Sequence, residues 1–231
     1  MEREQFLHWL SEDLPESLFS QIAAQVLFRC CHCKECCRGD GYALVDEGDI
    51  REIARALDIS HSQARSRFTD PDPEKTPGCR ILKSYGEQRC CCFLDRSTGR
   101  CRIYQSRPKI CRSFPMLSAE PEDGNAICLY PDCRGTADFV RLILEKCGGA
   151  QVQRDMQILR EQDEMLLKLK ISLYIWLRRM LGQKEDAESI CRITGEQPLE
   201  KDDLERYCLA YFLMTMKTDG LKDYLEASSR V

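Results

Sequence analysis

The sequence predicts an α+β, mostly helical protein, in which a small cysteine-rich domain with short strands is followed by a helical C-terminal part. Two observations predict this fold class. Apolar residues recur at steps of three and four towards both ends of the chain, which is the period of the buried face of an amphipathic helix. Between these stretches, 13 of the 16 cysteines lie within residues 30–133. We expect one domain over residues 1–135, with the N-terminal helix and the cysteines, and a helical region over residues 136–231 that packs on it.

The first predicted element is an amphipathic helix over residues 3–28. A bend is expected at Pro15, because proline removes a backbone N–H from the helical hydrogen-bond pattern. The apolar face of this helix repeats at four-residue steps and is formed by Phe6, Leu10, Leu14, Leu18, Ile22 and Val26.

Two short helices are predicted next, each with a polar residue at its start. Asp46 is a plausible N-cap for a helix with Ile50, Ile53, Ala54 and Leu57 on one face, and Ser60 for a helix that runs to Phe68, since oxygen-bearing side chains satisfy the first helical N–H groups. Residues 69–78 contain three prolines and are predicted to be a loop.

Short extended segments follow the loop, at residues 79–82, 91–94 and 102–104. Gly86 and the Ser-Thr-Gly run at residues 97–99 separate them, so a small hairpin or meander is predicted.

A short helix closes the cysteine-rich segment. Ser106 and Pro108 have the pattern of an N-cap and a first-turn proline. The helix is expected to carry Cys111 and to end before Pro115.

The C-terminal part is predicted to be helical from about residue 136. One apolar seam runs over residues 152–180 and is interrupted by Asp163, and a last helix covers residues 198–216. The seam either packs back on the cysteine-rich part or pairs with another chain, so these helices are candidates for a protein partner or for self-association.

Charge and hydropathy exclude two classes of partner. The net charge is −4 and the sequence pI is about 5.6, so no global positive field attracts nucleic acid. The most apolar stretch, residues 165–177, is broken by Lys168 and Lys170, and no membrane span is expected.

The amino terminus lacks the basic and apolar regions of a secretory signal. We expect a cytoplasmic, reducing environment, where clustered cysteines bind metals or act in redox chemistry more often than they form disulfides.

The sharpest local motif is Cys30-x-x-Cys33-x-x-Cys36-Cys37. A C-x-x-C turn places two sulfurs on one side of a tight loop, close enough to share a metal ion. The first three positions fit the bacterial ferredoxin pattern, but its fourth cysteine would fall at Asp40, which disfavours a ferredoxin. Neighbouring side chains tend to diverge, so one of the two adjacent cysteines is a candidate for a second centre.

Further sulfur ligands are expected downstream. With the CxxCxxCC motif they form a candidate metal-ligand set of eight: Cys30, Cys33, Cys36, Cys37, Cys91, Cys101, Cys111 and Cys133. Eight sulfurs suit two four-sulfur centres, or one cluster and one zinc ion, and the expected cofactor is a zinc or iron ion, with a 4Fe-4S cluster among the alternatives. His32 is a weaker candidate. The sequence leaves open the roles of Cys31, Cys79, Cys90, Cys92 and Cys128.

Four motifs in a fixed order carry a family resemblance. The CxxCxxCC motif is followed by CCFLD at residues 91–95, CRIY at residues 101–104 and RPKICRSFP at residues 107–115. In this order they resemble the YkgJ-type CxxCxxCC proteins, a family described as zinc- or iron-chelating, over about residues 28–135. The chain departs from the family where Cys92 replaces its usual proline.

The resemblance implies a metal-binding module that acts as a chelator, a redox relay or a structural element. Similar cysteine patterns occur in flagellin lysine N-methylases, so an enzyme that uses S-adenosylmethionine is an alternative. The sequence contains no G-x-G-x-x-G loop, P-loop or histidine-centred metalloprotease motif that would independently support catalysis. A disulfide-linked extracellular protein is the third class, and the missing secretory signal argues against it.

Overall fold

The structure is a computed structural model that describes residues 2–39, 41–117, 130, 133–216 and 221. The helices in chain order are α1 (Arg3–His8), α2 (Glu16–Leu27), α3 (Glu47–Ala56), α4 (His61–Phe68), α5 (Lys109–Ser113), α6 (Arg134–Lys146), α7 (Ala150–Glu161), α8 (Asp163–Met180), α9 (Lys184–Thr194) and α10 (Lys201–Thr215). The strands are β1 (Leu44–Asp46), β2 (Thr69–Pro71), β3 (Cys79–Leu82), β4 (Ser84–Tyr85) and β5 (Cys90–Cys91). The predicted α+β, mostly helical class is confirmed.

The chain forms two compact units. The helical unit combines residues 1–30 with residues 115–231, and the cysteine-rich unit comprises residues 31–114. The domain boundary expected at residue 135 stays a prediction. The apolar face of α2 is buried against α10 and α8, so the N-terminal helix shares its core with the C-terminal helices.

The N-terminal helix is interrupted near Pro15, where a bend was expected. A π-helical turn over Trp9–Asp13 follows α1, and Pro15 becomes the N-cap residue of α2 with an extended ψ of 141°. Of the predicted face, Phe6, Leu10, Ile22 and Val26 are buried.

The apolar seam predicted over residues 152–180 belongs to two helices instead of one. The chain leaves the helical conformation at Gln162, with φ −123° and ψ 89°, and Asp163 begins α8. The interruption of the seam by a charged residue is therefore a helix boundary, where an acidic side chain is favoured by the helix dipole. Leu169, Leu173 and Ile175 of α8 are buried in the helical unit.

The cysteine-rich unit contains a three-stranded antiparallel sheet in the order β1-β3-β2. The strand predicted at residues 79–82 is β3 and pairs with both neighbours. The prediction of a loop over residues 69–78 is wrong for residues 69–71, which form β2 by pairing with β3. Pro71 is tolerated there because it ends an edge strand.

The predicted hairpin is formed by β4 and β5, which pair antiparallel around Gly86 with Ser84 opposite Cys91. Extended structure at residues 91–94 and 102–104 is only partly present. An isolated bridge joins Leu94 to Cys101, and residues 104–106 form a 3-10 turn, because the N–H of Ser106 donates to the carbonyl oxygen of Ile103.

The two expected N-caps are confirmed. The carboxylate of Asp46 accepts from the N–H of Asp49 at 2.8 Å, and the hydroxyl of Ser60 accepts from the N–H of Gln63 at 3.2 Å. The N-cap expected at Ser106 is wrong, because Pro108 takes that position in α5. No helix in the part of the chain that the structure describes is long and apolar enough to cross a membrane.

Candidate metal centre

The loop after the first cysteines is held in an unusual backbone conformation. His32 and Lys34 have φ values of 56° and 76°, in the left-handed region that costs a non-glycine residue about 1 kcal/mol or more. The loop then closes in a 3-10 turn over Glu35–Cys37, with the N–H of Cys37 donating to Lys34 at 2.8 Å. Backbone strain of this kind is typical of ligand-binding loops.

Cys36 and Cys37 leave this turn with neighbouring sulfurs. Their Sγ atoms are 4.0 Å apart, although the sequence favoured divergence of adjacent side chains. Hydrogen bonding to Cys37 is the main reason why the pKa of Cys36 is raised. The charge of Arg107 acts in the opposite direction and favours the Cys36 thiolate.

Cys91 lies at the end of β5, and its thiol ionises more readily than an ordinary cysteine. The thiol of Cys92 donates to its sulfur, and the charge of Arg102 also favours the thiolate, so the pKa of Cys91 falls to about 7 in spite of burial. The pKa of Cys92 is raised by the same hydrogen bond and by its own burial. Cys92 therefore acts as a thiol donor towards Cys91.

Cys101 and Cys111 complete a cluster of thiols from separate segments. Burial, together with the smaller effect of the charges of Cys91, Cys36 and Cys101, raises the pKa of Cys111 to about 12. Burial is also the main cause of the raised pKa of Cys101, with smaller contributions from the charges of Cys91 and Cys36. We use the name thiol cluster for Cys36, Cys91, Cys101 and Cys111, because the charges of the first two act on both Cys101 and Cys111.

The carboxylates of Asp46, at the end of β1, and of Asp49, in α3, position the helix that carries Cys111. Oδ1 of Asp49 accepts from the backbone N–H of Lys109 at 3.0 Å, at the first residue of α5. Nζ of Lys109 lies 2.6 Å from Oδ2 of Asp46. No local pattern predicts these contacts, because the residues they join are 60 or more positions apart.

An aromatic ring joins the CxxCxxCC loop to the segment before α5. The ring of Tyr104 lies 5.0 Å from the ring of His32. The guanidinium of Arg107 lies 3.8 Å from the centre of the same Tyr104 ring, and its Nε donates to the Tyr104 carbonyl oxygen at 2.9 Å. Tyr104 thereby holds His32 and Arg107 together.

The eight predicted ligands lie in different surroundings. Cys36, Cys91, Cys101 and Cys111 form the thiol cluster, with Cys37 beside Cys36. Cys33 is half-buried in the same unit. Cys30 is exposed and Cys133 is buried, and both belong to the helical unit. Their role as ligands stays a prediction.

The cysteines with open roles are also distributed over the chain. Cys31 is exposed, Cys79 and Cys90 are half-buried, and Cys92 is buried. Cys128 lies outside the described residues.

The donor chemistry of the thiol cluster fits zinc or iron. Thiolate sulfur is the preferred donor of tetrahedral structural zinc sites and of iron–sulfur clusters. Among the residues that the structure describes, no three Cys, His, Asp or Glu side chains already have the arrangement of a metal site. We therefore expect binding to draw the sulfurs of the cluster closer together.

The fold and the cluster define a mostly helical protein with a cysteine-rich domain in which thiols from separate segments converge. Residues 29–133 match the family model CxxCxxCC, described as "Putative zinc- or iron-chelating domain". Over these residues the chain is similar to that family. It agrees with the resemblance that the four sequence motifs indicate.

One curated relative is an uncharacterized protein of Methanocaldococcus jannaschii. It is 29% identical over 110 residues, which is 46% of this chain and 53% of the relative. The chain thus spans about half the length of this relative. No solved structure matches the chain.

Proposed function

We propose that the cysteine-rich unit binds one metal centre of zinc or iron through Cys36, Cys91, Cys101 and Cys111. The proposal rests on the match of residues 29–133 to a domain described as zinc- or iron-chelating, and on the electrostatic influence of Cys36 and Cys91 on Cys101 and Cys111. These four thiols come from a loop, a strand, a bridge and a helix. Four thiolates at close range repel one another, and a bound cation removes that repulsion.

The metal centre also accounts for the stability of a unit with a small apolar core. The described core of this unit consists of Val45, Ile50, Ile53, Ala54, Ala64, Leu82, Cys92, Phe93 and Ile103. Metal binding contributes about 10 kcal/mol or more to the folding of small zinc domains. We therefore infer a structural role, in which the metal fixes the CxxCxxCC loop to β5 and α5.

A four-thiolate donor set admits a single zinc ion, a single iron ion or an iron–sulfur cluster. An iron–sulfur cluster is the finer proposal, supported by the excess of thiols around the set, such as Cys90 and Cys92 beside Cys91. When bound, the metal supplies a fixed positive charge, and an iron centre can also exchange electrons. The residues of the chain hold it, with Cys92 donating to the Cys91 sulfur and hydrophobic side chains such as Phe93 limiting water access.

The test is elemental analysis of protein purified without oxygen, together with assay of acid-labile sulfide. Stoichiometric zinc without colour indicates a zinc site, and brown protein with sulfide indicates a cluster. Cys111→Ser is expected to lower the metal content at least severalfold. The matched control is Cys191→Ser, which changes a half-buried cysteine of the helical unit. Unchanged metal content in Cys111→Ser would refute the assignment.

A further inference from the structure

The CxxCxxCC loop is held by contacts on both sides of Cys36. Before it in the chain, the ring of His32 lies 5.0 Å from the ring of Tyr104. After it, the N–H of Gly39 donates to the carbonyl oxygen of Gln88 at 3.1 Å, in the turn between β4 and β5. All of these residues belong to the cysteine-rich unit. The loop is therefore fixed to segments that lie next to other sulfurs of the thiol cluster.

A third contact places the side chain of Lys34 across Gly99. A Cβ atom added at Gly99 would overlap the end of the Lys34 side chain and would lie 3.1 Å from its Cδ. Gly99 is buried and Lys34 is half-buried. Lysine can take this position because residue 99 has no side chain. The contact joins the CxxCxxCC loop to the chain two residues before Cys101.

Gly99 lies in a tight turn that ends directly before Cys101. The N–H of Gly99 donates to the carbonyl oxygen of Asp95 at 2.7 Å, and the N–H of Asp95 donates to that of Arg100 at 2.9 Å. The φ of Gly99 is 65°, in the left-handed region that glycine adopts without the steric cost of a side chain. The turn is thus a fixed support, and both its backbone and its contact with the loop favour glycine.

We propose that Gly99 is a positioning residue of the metal centre, because its missing side chain lets Lys34 lie across the turn before Cys101 and thereby fixes the CxxCxxCC loop with Cys36 facing the same metal ion as Cys101. This inference rests on the proposed metal-binding function. A loop that is fixed before the metal arrives loses less conformational freedom on binding. The contact between Lys34 and Gly99 therefore raises the metal affinity of the centre.

A competing role for Gly99 is to supply the positive φ of its turn and nothing more. Gly78 separates the two roles, since it has a φ of 72° in the same unit. Among the described residues, no atom outside its chain neighbours lies within 4 Å of a Cβ added at Gly78. Gly78→Ala therefore introduces the backbone strain of alanine without any overlap. It is the matched control for Gly99→Ala.

The experiment measures Zn²⁺ affinity of the full-length protein by competition with a chromogenic chelator, under anaerobic reducing conditions. Gly99→Ala is expected to weaken binding by about 10-fold, the lower limit for losing a group that supports metal ligands. Gly78→Ala is expected to stay within about threefold of the wild type, because it does not disturb the loop. Equal affinity of the two variants would overturn the proposal.

The Lys34 variants test the other side of the contact. Lys34→Ala removes the chain that lies across Gly99 and is expected to bind Zn²⁺ about 3- to 10-fold more weakly. Lys34→Met keeps a side chain of similar length and is expected to bind like the wild type. An equal loss in Lys34→Met and Lys34→Ala would indicate a role of the charge and would overturn the positioning role.

The double variant Lys34→Ala/Gly99→Ala tests whether the two residues act through one contact. Without the Lys34 side chain there is no overlap at residue 99, so the loss is expected to be smaller than the product of the two single losses. Losses that multiply would show independent effects and contradict the inference. Circular dichroism checks that each variant is folded. If Gly99→Ala fails to fold, the Lys34 pair carries the test, and wild-type affinity in Lys34→Ala then overturns the proposal.

The absorption spectrum of protein saturated with Co²⁺ gives a readout that loss of stability alone does not change. This spectrum depends on the ligands of the metal and their geometry. We expect weaker sulfur-to-cobalt charge-transfer absorption in Gly99→Ala than in Gly78→Ala, and identical spectra would contradict a positioning role. Failure of the wild-type protein to bind Zn²⁺ would instead overturn the proposed function itself, so the two failures are distinguishable.

Discussion

Replacing Asp49 by alanine is expected to destabilise the cysteine-rich unit and to release the helix that carries Cys111. The Asp49 side chain is buried, with 4% of its surface exposed. Its carboxylate accepts from the N–H of Lys109 at 3.0 Å and from the N–H of Asp46 at 3.3 Å. Alanine removes both acceptors and leaves the first N–H of α5 without its side-chain partner.

The expected loss of folding free energy follows from these two hydrogen bonds. A hydrogen bond to a charged group contributes about 1.5–3 kcal/mol, and the longer bond to Asp46 is counted at about 1 kcal/mol. Part of this loss is offset, because alanine also removes a carboxylate whose charge is costly to bury. Burial raises the pKa of Asp49, and the charge of Asp46 acts in the same direction. We expect a net loss of about 2–3 kcal/mol for Asp49→Ala. Asp49→Asn keeps an oxygen for Lys109 and is expected to lose about 1 kcal/mol.

The assay has to report on the correct unit. Both tryptophans, Trp9 and Trp176, belong to the helical unit, so their fluorescence does not follow the cysteine-rich unit directly. Hydrogen exchange measured by mass spectrometry on peptides covering residues 104–114 reports on α5, and tryptophan fluorescence serves as the internal control. Protection of α5 that falls by less than about 0.5 kcal/mol in Asp49→Ala, or equally in Asp49→Asn and Asp49→Ala, would refute the reasoning.

Two further predictions concern the metal and the helical unit. Chelation of the metal is expected to abolish exchange protection over much of residues 31–114 while the tryptophan-detected unfolding transition is kept; unchanged protection would argue against a structural metal. Tyr211→Phe removes the bond from the Tyr211 hydroxyl to Glu16 and should lower the free energy of unfolding by about 1–2 kcal/mol, measured from the urea transition detected by tryptophan fluorescence. An unchanged free energy of unfolding would show that the bond contributes nothing.

Local interactions explain the parts of the fold that could be predicted from the sequence. In the caps at Asp46 and Ser60, the side chain accepts from an N–H only three residues later. Such a cap can therefore be recognised from a few neighbouring residues in the sequence. The strand at residues 69–71 could not be predicted in this way, because it depends on pairing with β3 about ten positions later. The end of α7 at Gln162 likewise has no proline or glycine to mark it.

The candidate site, like the fold, could be predicted from the sequence only in part. Spacing alone identified Cys36, Cys91, Cys101 and Cys111 among eight candidate ligands, but it could not indicate which of the eight share one unit. Membership of the thiol cluster depends on where β5 and α5 place their sulfurs. The position of α5 depends in turn on Asp49, whose partner lies 60 residues away. The sequence contains no periodic signal for a contact of that range.

X-ray absorption spectroscopy of the bound metal, in full-length protein purified without oxygen, shows whether four cysteine sulfurs of the thiol cluster hold a zinc or iron centre. We predict a metal with four sulfur neighbours at about 2.3 Å, and no nitrogen or oxygen ligand from the protein. A metal bound mainly by nitrogen or oxygen, or protein that retains no metal, would contradict the proposed metal centre.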